Sequence, residues 1–336
     1  MPAPSDPQTR PGPPRSLTRR GWLVGFGACG AVSALTACTG SVGADRDSIA
    51  TRAPDPSLST AQELLAPWVA LTAATRSTFP SDPLVEHHAG LAAAYRQLLI
   101  DEVGTPHDLP APTVGSRLRV AKRELLAAGQ ELQPRLLSLA ATAAAGPAAW
   151  VLGSMSAGLA QATGLTPSEA SAVPNAADLT LGDVPRADPL LTRLHEALWA
   201  VGLFGARTSA SAQPALFEAV SGLYSGLRTE RDALTAAMAA AGGTPPAAQP
   251  SYPRWSQVSP QPTAIRQAAA RLEQEVAAAY AWVVYDGAMG WRSWCLEGWT
   301  RNAVRGLAFQ GTPEIFPGAS ELTDRVRPTT SSPSSA

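Results

Sequence analysis

Residues 263–286 read TAIRQAAARLEQEVAAAYAWVVYD, and the spacing of their apolar members decides the fold. Ile265, Ala268, Ala269, Leu272, Val276, Ala279, Tyr280 and Val283 recur at intervals of three, four and seven, which lays them along one stripe of an α-helix. Arg266, Gln267, Arg271 and Gln274 take the opposite side, so the spacing predicts a helix that packs on one side only. Partners lie to either side in the chain. Over 288–310, Trp291, Trp294, Cys295, Gly298, Asn302, Gly306 and Phe309 share a face, with two glycines that permit close backbone approach. Upstream, Leu190, Leu194, Leu198, Val201 and Gly205 stripe one helix that carries Trp199 and Leu203 on its back. Residues 214–241 stripe another with Val220, Leu223, Tyr224, Leu227, Leu234 and Met238, ending at Gly242-Gly243. Four such helices over 189–318 predict a bundle.

The first half, 58–165, reads as a second helical bundle. Its segments are 60–78, 83–103, 113–145 and 147–163, punctuated by Pro80, Gly104, Pro106, Pro110, Pro112 and Gly146, with Pro134 expected to kink or divide the third. His88 sits in the apolar stripe of the second segment, where a hydrogen-bonded core residue is the first reading and a ligand the second. His87 is about 100° round the helix from it, so the two do not chelate in the manner of an i, i+4 pair. Residues 166–188, rich in Pro and Gly, read as a linker or as a long crossover inside one larger bundle, and 319–336 as a disordered tail.

The N-terminus reads as an address. Arg10, Arg15, Arg19 and Arg20 precede an uncharged run, 21–35, that is shorter than the roughly 20 apolar residues that span a bilayer. Thr18-Arg19-Arg20-Gly21-Trp22-Leu23 resembles a twin-arginine export motif, and Leu35-Thr36-Ala37-Cys38 resembles a lipobox. Residues 1–37 are therefore expected to be a signal peptide, Cys38 the lipidated residue, and 38–57 anchor and tether on the extracytoplasmic side of the cell membrane.

Composition narrows the function. The 336 residues are 45% hydrophobic with a net charge of −1; removing 1–37 takes away four arginines and Asp6 and moves the charge to −4. That balance offers nothing to nucleic acid, which calls for a basic excess. Three cysteines, Cys29, Cys38 and Cys295, give no disulfide framework in the body of the chain. No Gly-x-Ser-x-Gly elbow, phosphate loop, Cys-x-x-Cys pair or His-Glu-x-x-His motif occurs, so no catalytic residue is assigned and Cys295 reads as a buried thiol.

Arg231 falls inside the stripe of the 214–241 helix, where a guanidinium needs a carboxylate, since breaking a buried pair costs on the order of 3–5 kcal/mol. Glu273 and Glu275 are the expected partners in a structural ion pair, with Glu196 behind them.

The block resembles the ferritin-like domain of unknown function found in secreted and lipid-anchored proteins of GC-rich Gram-positive (actinobacterial) bacteria. The likeness rests on His195-Glu196-Ala197, Gly202, Arg228, Arg231-Asp232, Tyr252-Pro253, Leu272-Glu273, Ala278 to Tyr280, Arg292, Arg301, Ala303 and Phe316-Pro317-Gly318. The family pattern has an acidic residue directly before the histidine, where this chain has Leu194. The first half reads either as a diverged copy of this unit or as an unrelated bundle: His88 to Thr105-Pro106 runs parallel to Tyr224 to Thr244-Pro245.

The resemblance raises metal chemistry. A di-iron bundle uses a Glu from each of two helices and a Glu-x-x-His pair from each of the other two. Glu196, Glu230, Glu273 and Glu297 supply one carboxylate per helix, but Ala233 and Thr300 stand where the histidines belong. The expectation is an all-α, lipid-anchored binding or envelope module with no cofactor, contacting the membrane through Cys38 and an unidentified protein or apolar ligand. The alternative is a carboxylate-bridged metal oxidase or metal store built on those four glutamates.

Overall fold

In the computed structural model, residues 54–103, 122–144, 146–165 and 178–326 are described; the expectations for Cys29, Cys38 and the rest of 1–53 lie outside them. Among the described residues the chain forms ten α-helices and one short 3-10 turn, with no strand. They are α1 Pro56–Thr78, α2 Pro83–Val103, α3 Lys122–Thr142, α4 Gly146–Thr163, α5 Val184–Ala206, α6 Pro214–Ala240, α7 Pro253–Ser256, α8 Pro262–Tyr285, α9 Arg292–Ala308 and α10 Ser320–Val326. Prolines open many of them, where the missing N–H is free of cost and φ is already helical. Asp55 caps α1, accepting from the Ser57 amide at 2.9 Å.

The second half runs α5 and α6 as an antiparallel pair, crosses the length of the bundle through 241–261, and returns as the antiparallel pair α8 and α9. The crossover lies along α5, where the Pro246 carbonyl meets His195 Nε2 at 3.2 Å and Arg207 reaches the Ser256 carbonyl at 3.0 Å. The first half has the same wiring. α1 and α2 pair antiparallel, Val103 and Lys122 stand at opposite ends, and α3 and α4 pair antiparallel again.

The two halves share one core. α4 is buried on nearly every side and packs on α3, α8 and α9. Its small residues allow this: a Cβ on Gly158 would collide with the Tyr95 hydroxyl and come within 2.7 Å of the Ile315 carbonyl oxygen. That hydroxyl donates to the Met155 and Ile315 carbonyls, each at 3.0 Å, and Gln161 donates to the Ala303 carbonyl at 2.7 Å, so buried polar contacts also cross between halves. Buried Arg292, at the head of α9, donates to the Ala143 carbonyl and so caps the end of α3.

Several expectations need correction. α8 is buried on two sides: besides the stripe read from the sequence, Ala270, Glu273, Ala277, Ala281 and Val284 are buried. α3 is not divided at Pro134. Residues 184–188 begin α5 and do not belong to a linker, and 320–326 form α10, with Leu322 in the core and Arg325 paired to Glu102 of α2. His88 is buried edge-on against Trp68 at 5.9 Å, and neither ring nitrogen makes a hydrogen bond of good geometry. Trp291 and Trp294 stack together and Tyr280 leans on Trp294 at 5.3 Å, so the aromatic face of α9 is filled core.

Candidate functional site

The core of the second half contains a charged cluster. On α6 the buried positions are Leu216, Val220, Leu223, Leu227, Glu230, Leu234, Ala237 and Met238, a near-strict alternation of fours and threes that places Glu230 in the apolar seam. Glu230 is 3% exposed, and from α8 Glu273 is fully buried beside it. The cations come from α9, where Arg301 and Arg305, four apart, point to the same place.

Every oxygen of Glu230 is engaged. Oε1 accepts from Arg305 Nη2 at 2.9 Å and Arg301 Nη1 at 3.1 Å; Oε2 accepts from the Tyr280 hydroxyl at 2.8 Å and Asn302 Nδ2 at 3.0 Å. Arg305 turns its Nε to Glu273 Oε2 at 2.8 Å and gives Nη2 also to Asn302 Oδ1 at 2.6 Å. One guanidinium thus bridges both carboxylates. Glu273 Oε1 and Arg301 Nε and Nη2 are left without a hydrogen-bond partner.

The two carboxyls differ in charge affinity. Burial raises Glu230, but Arg305 and Arg301, with the Asn302 and Tyr280 hydrogen bonds, outweigh it and hold the group below the usual range. Glu273 has fewer donors. Burial pushes it up to about 7 against the pull of Arg305, and the charge on Glu230 adds to the rise. Burial also drives the Tyr280 hydroxyl and the Cys295 thiol well up, which leaves Cys295 a neutral thiol and not a nucleophile.

A second cluster lies at the surface. Glu196 accepts from Arg193 at 2.6 Å, Arg254 at 2.5 Å and Trp255 Nε1 at 2.9 Å, while Glu275 accepts from the same two arginines. Arg254 lies over the Trp255 ring, so the network pins α7 onto α5 and α8.

The structure therefore redistributes the expected ion pair. Arg231 is one position off the α6 seam, half-buried, and pairs with its neighbour Asp232. Glu273 pairs with Arg305 and Glu275 with Arg193 and Arg254. Of the four glutamates considered for a metal, Glu230 and Glu273 come together, Glu196 belongs to the surface network, and Glu297 is half-buried elsewhere on α9.

These residues do not fit a carboxylate-bridged metal. Arg305 occupies the space between Glu230 and Glu273, the two of those four that converge, and the core-facing side of α5, Leu190, Leu191, Leu194, Ala197, Val201 and Phe204, brings no ligand. Among the described residues no group of three or more His, Cys, Asp or Glu side chains is placed to hold a metal ion. The cluster had one readable signal: the four-three register of α6 points to 230, and Arg301 and Arg305 share a face of α9.

A family model described as a domain of unknown function (DUF4439) matches residues 190–321, so such a domain occupies the second half. Its span begins inside α5, takes in α6 to α9 and the crossover, and ends in the first turn of α10. No curated protein and no solved structure matches the chain.

Proposed function

We propose that this chain is a lipid-anchored, extracytoplasmic module that binds a partner protein or an apolar ligand and does no metal chemistry, its second half being a ferritin-like bundle closed by an internal salt cluster. The single observation that carries this reading is Arg305, whose guanidinium lies between Glu230 and Glu273 at 2.9 and 2.8 Å. Two buried carboxylates facing each other need a positive charge, and here the chain provides it. The wiring supports the ferritin-like part of the reading: two antiparallel pairs joined by one long crossover are the arrangement of that class. The same wiring in α1 to α4 supports a duplicated origin for the first half. Anchoring rests on the sequence before residue 54, with Cys38 as the lipid-bearing residue.

The test is the metal content of the full chain, purified without chelators from cells supplied with iron and manganese. The reading predicts no stoichiometric metal and no rise in melting temperature on adding either ion. One iron or manganese per chain would overturn it.

A further inference from the structure

The end of the unit from which the chain leads back toward Cys38 carries exposed and partly exposed apolar side chains. Met289, 60% exposed, stands in the turn between α8 and α9, and Leu181, 61% exposed, on the 3-10 turn beside it, where Asp178 lies against Gly290. Next to them Tyr285 stacks on Trp282 at 5.5 Å and meets Trp150 edge-on at 5.4 Å, both indoles being only partly buried. Tryptophan and tyrosine side by side, apolar in body and polar at the tip, suit the boundary between lipid and water. The head of α1 is at the same end: the charge on Asp55 acts on Arg292, three residues from Met289. Between Cys38 and Asp55 the chain reaches at most about 60 Å, however it is arranged, and it joins the helices at this end.

We propose that this end lies on the lipid surface, with Met289, Leu181, Tyr285 and the two indoles entering at headgroup depth; the proposal rests on the reading of Cys38 as a lipid anchor. Charge decides the mode of contact. Arg186 is paired with Asp183 and Asp286, and Arg292 is buried, donating to the Ala143 carbonyl and to the Met289 sulfur at 2.6 Å, so neither presents a free exposed charge to anionic headgroups. Contact is therefore by apolar insertion, and salt does not release it.

The test uses the full chain carrying Met289→Cys or, at the opposite end in the exposed loop between α5 and α6, Ser211→Cys. Each is labelled with an environment-sensitive thiol probe and placed in phosphatidylcholine and phosphatidylglycerol vesicles. The label at 289 is expected to be several-fold better protected from aqueous iodide than the label at 211, equally at low and high salt. Equal quenching at both positions overturns the proposal, as does protection that follows protein concentration without lipid, which would mean a second copy. Mass spectrometry of the N-terminal peptide reports on Cys38 separately. Should Cys38 carry no lipid, Cys29→Ser and Cys38→Ser are added so that the probe reports position 289 alone; protection there with added vesicles still supports the surface, and its absence sinks both readings.

Discussion

Arg305 and Arg231 are the same residue type on neighbouring helices, and their surroundings give them opposite weights. Arg305→Met leaves two buried carboxylates facing each other with Arg301 hydrogen-bonded to only one of them, whereas Arg231→Met removes a half-exposed pair with the adjacent Asp232. By urea unfolding the first is expected to lose about 3–5 kcal/mol and the second less than about 1 kcal/mol. Glu273 and His88 set opposing pH slopes. Glu273, raised from 4.5 to about 7, favours the folded state in acid and loses that contribution as pH rises through this window, on the order of 3 kcal/mol in all. His88 is depressed from 6.5 to about 4, by burial first and then by His87, so its contribution is present above 6.5 and lost as pH falls toward 4. The two nearly cancel between pH 4.5 and 6.5. Melting of Glu273→Gln against pH should therefore show stability rising across that range, and His88→Leu should show it falling; parallel profiles for wild type and both variants would contradict these assignments.

At the scale of elements, periodicity made most helices legible and alanine obscured their neighbours. The one-sided reading of α8 missed Ala270, Ala277 and Ala281, because alanine scarcely distinguishes a buried face from an exposed one, and Glu273 looked like a flanking charge. On α6 the periodicity places Val220, Leu223, Leu227, Leu234 and Met238 in the seam, as the structure does, but wrongly adds Tyr224 and Arg231. Tyr224 is 41% exposed and Arg231 half-buried, whereas Glu230 holds the seam, a register that the spacing from Leu216 to Leu227 already contains. The register of α6 and the spacing of Arg301 and Arg305 are legible in sequence, but their meeting is not, since only the packing of α6, α8 and α9 brings the cations of α9 to Glu230. α4 shows what small residues do in aggregate: Gly153, Ala157, Gly158 and Ala160 let it sit in the middle of the molecule. Gly158→Leu should overpack the Tyr95 and Ile315 contacts and cost at least about 1–3 kcal/mol in a thermal or urea melt. Gly90, which has open space around its Cβ position, should tolerate Ala with a small gain from helix propensity.

For the whole molecule, the sequence suggested two bundles, and the structure joins them through a common core that runs from Leu58 to Leu322. α4 packs on α8 and α9 as well as on α3, and Arg292 of the second half caps α3 of the first. The full chain is therefore expected to unfold in a single transition, and a fragment beginning at Asp178 to lack a cooperative melt, because the Leu296 and Trp299 face of α9 would lose α4. Two separate transitions, or a fragment that melts as sharply as the full chain, would show independent halves. A guanidinium closes the second bundle, and urea unfolding at pH 8 of the full chain, of Arg305→Met, and of Arg305→Met combined with Glu273→Gln tests this. A large loss is expected in the single variant and substantial recovery in the double, where the second carboxylate no longer needs a partner. A single variant as stable as wild type, or a double variant in which the losses add, would contradict it.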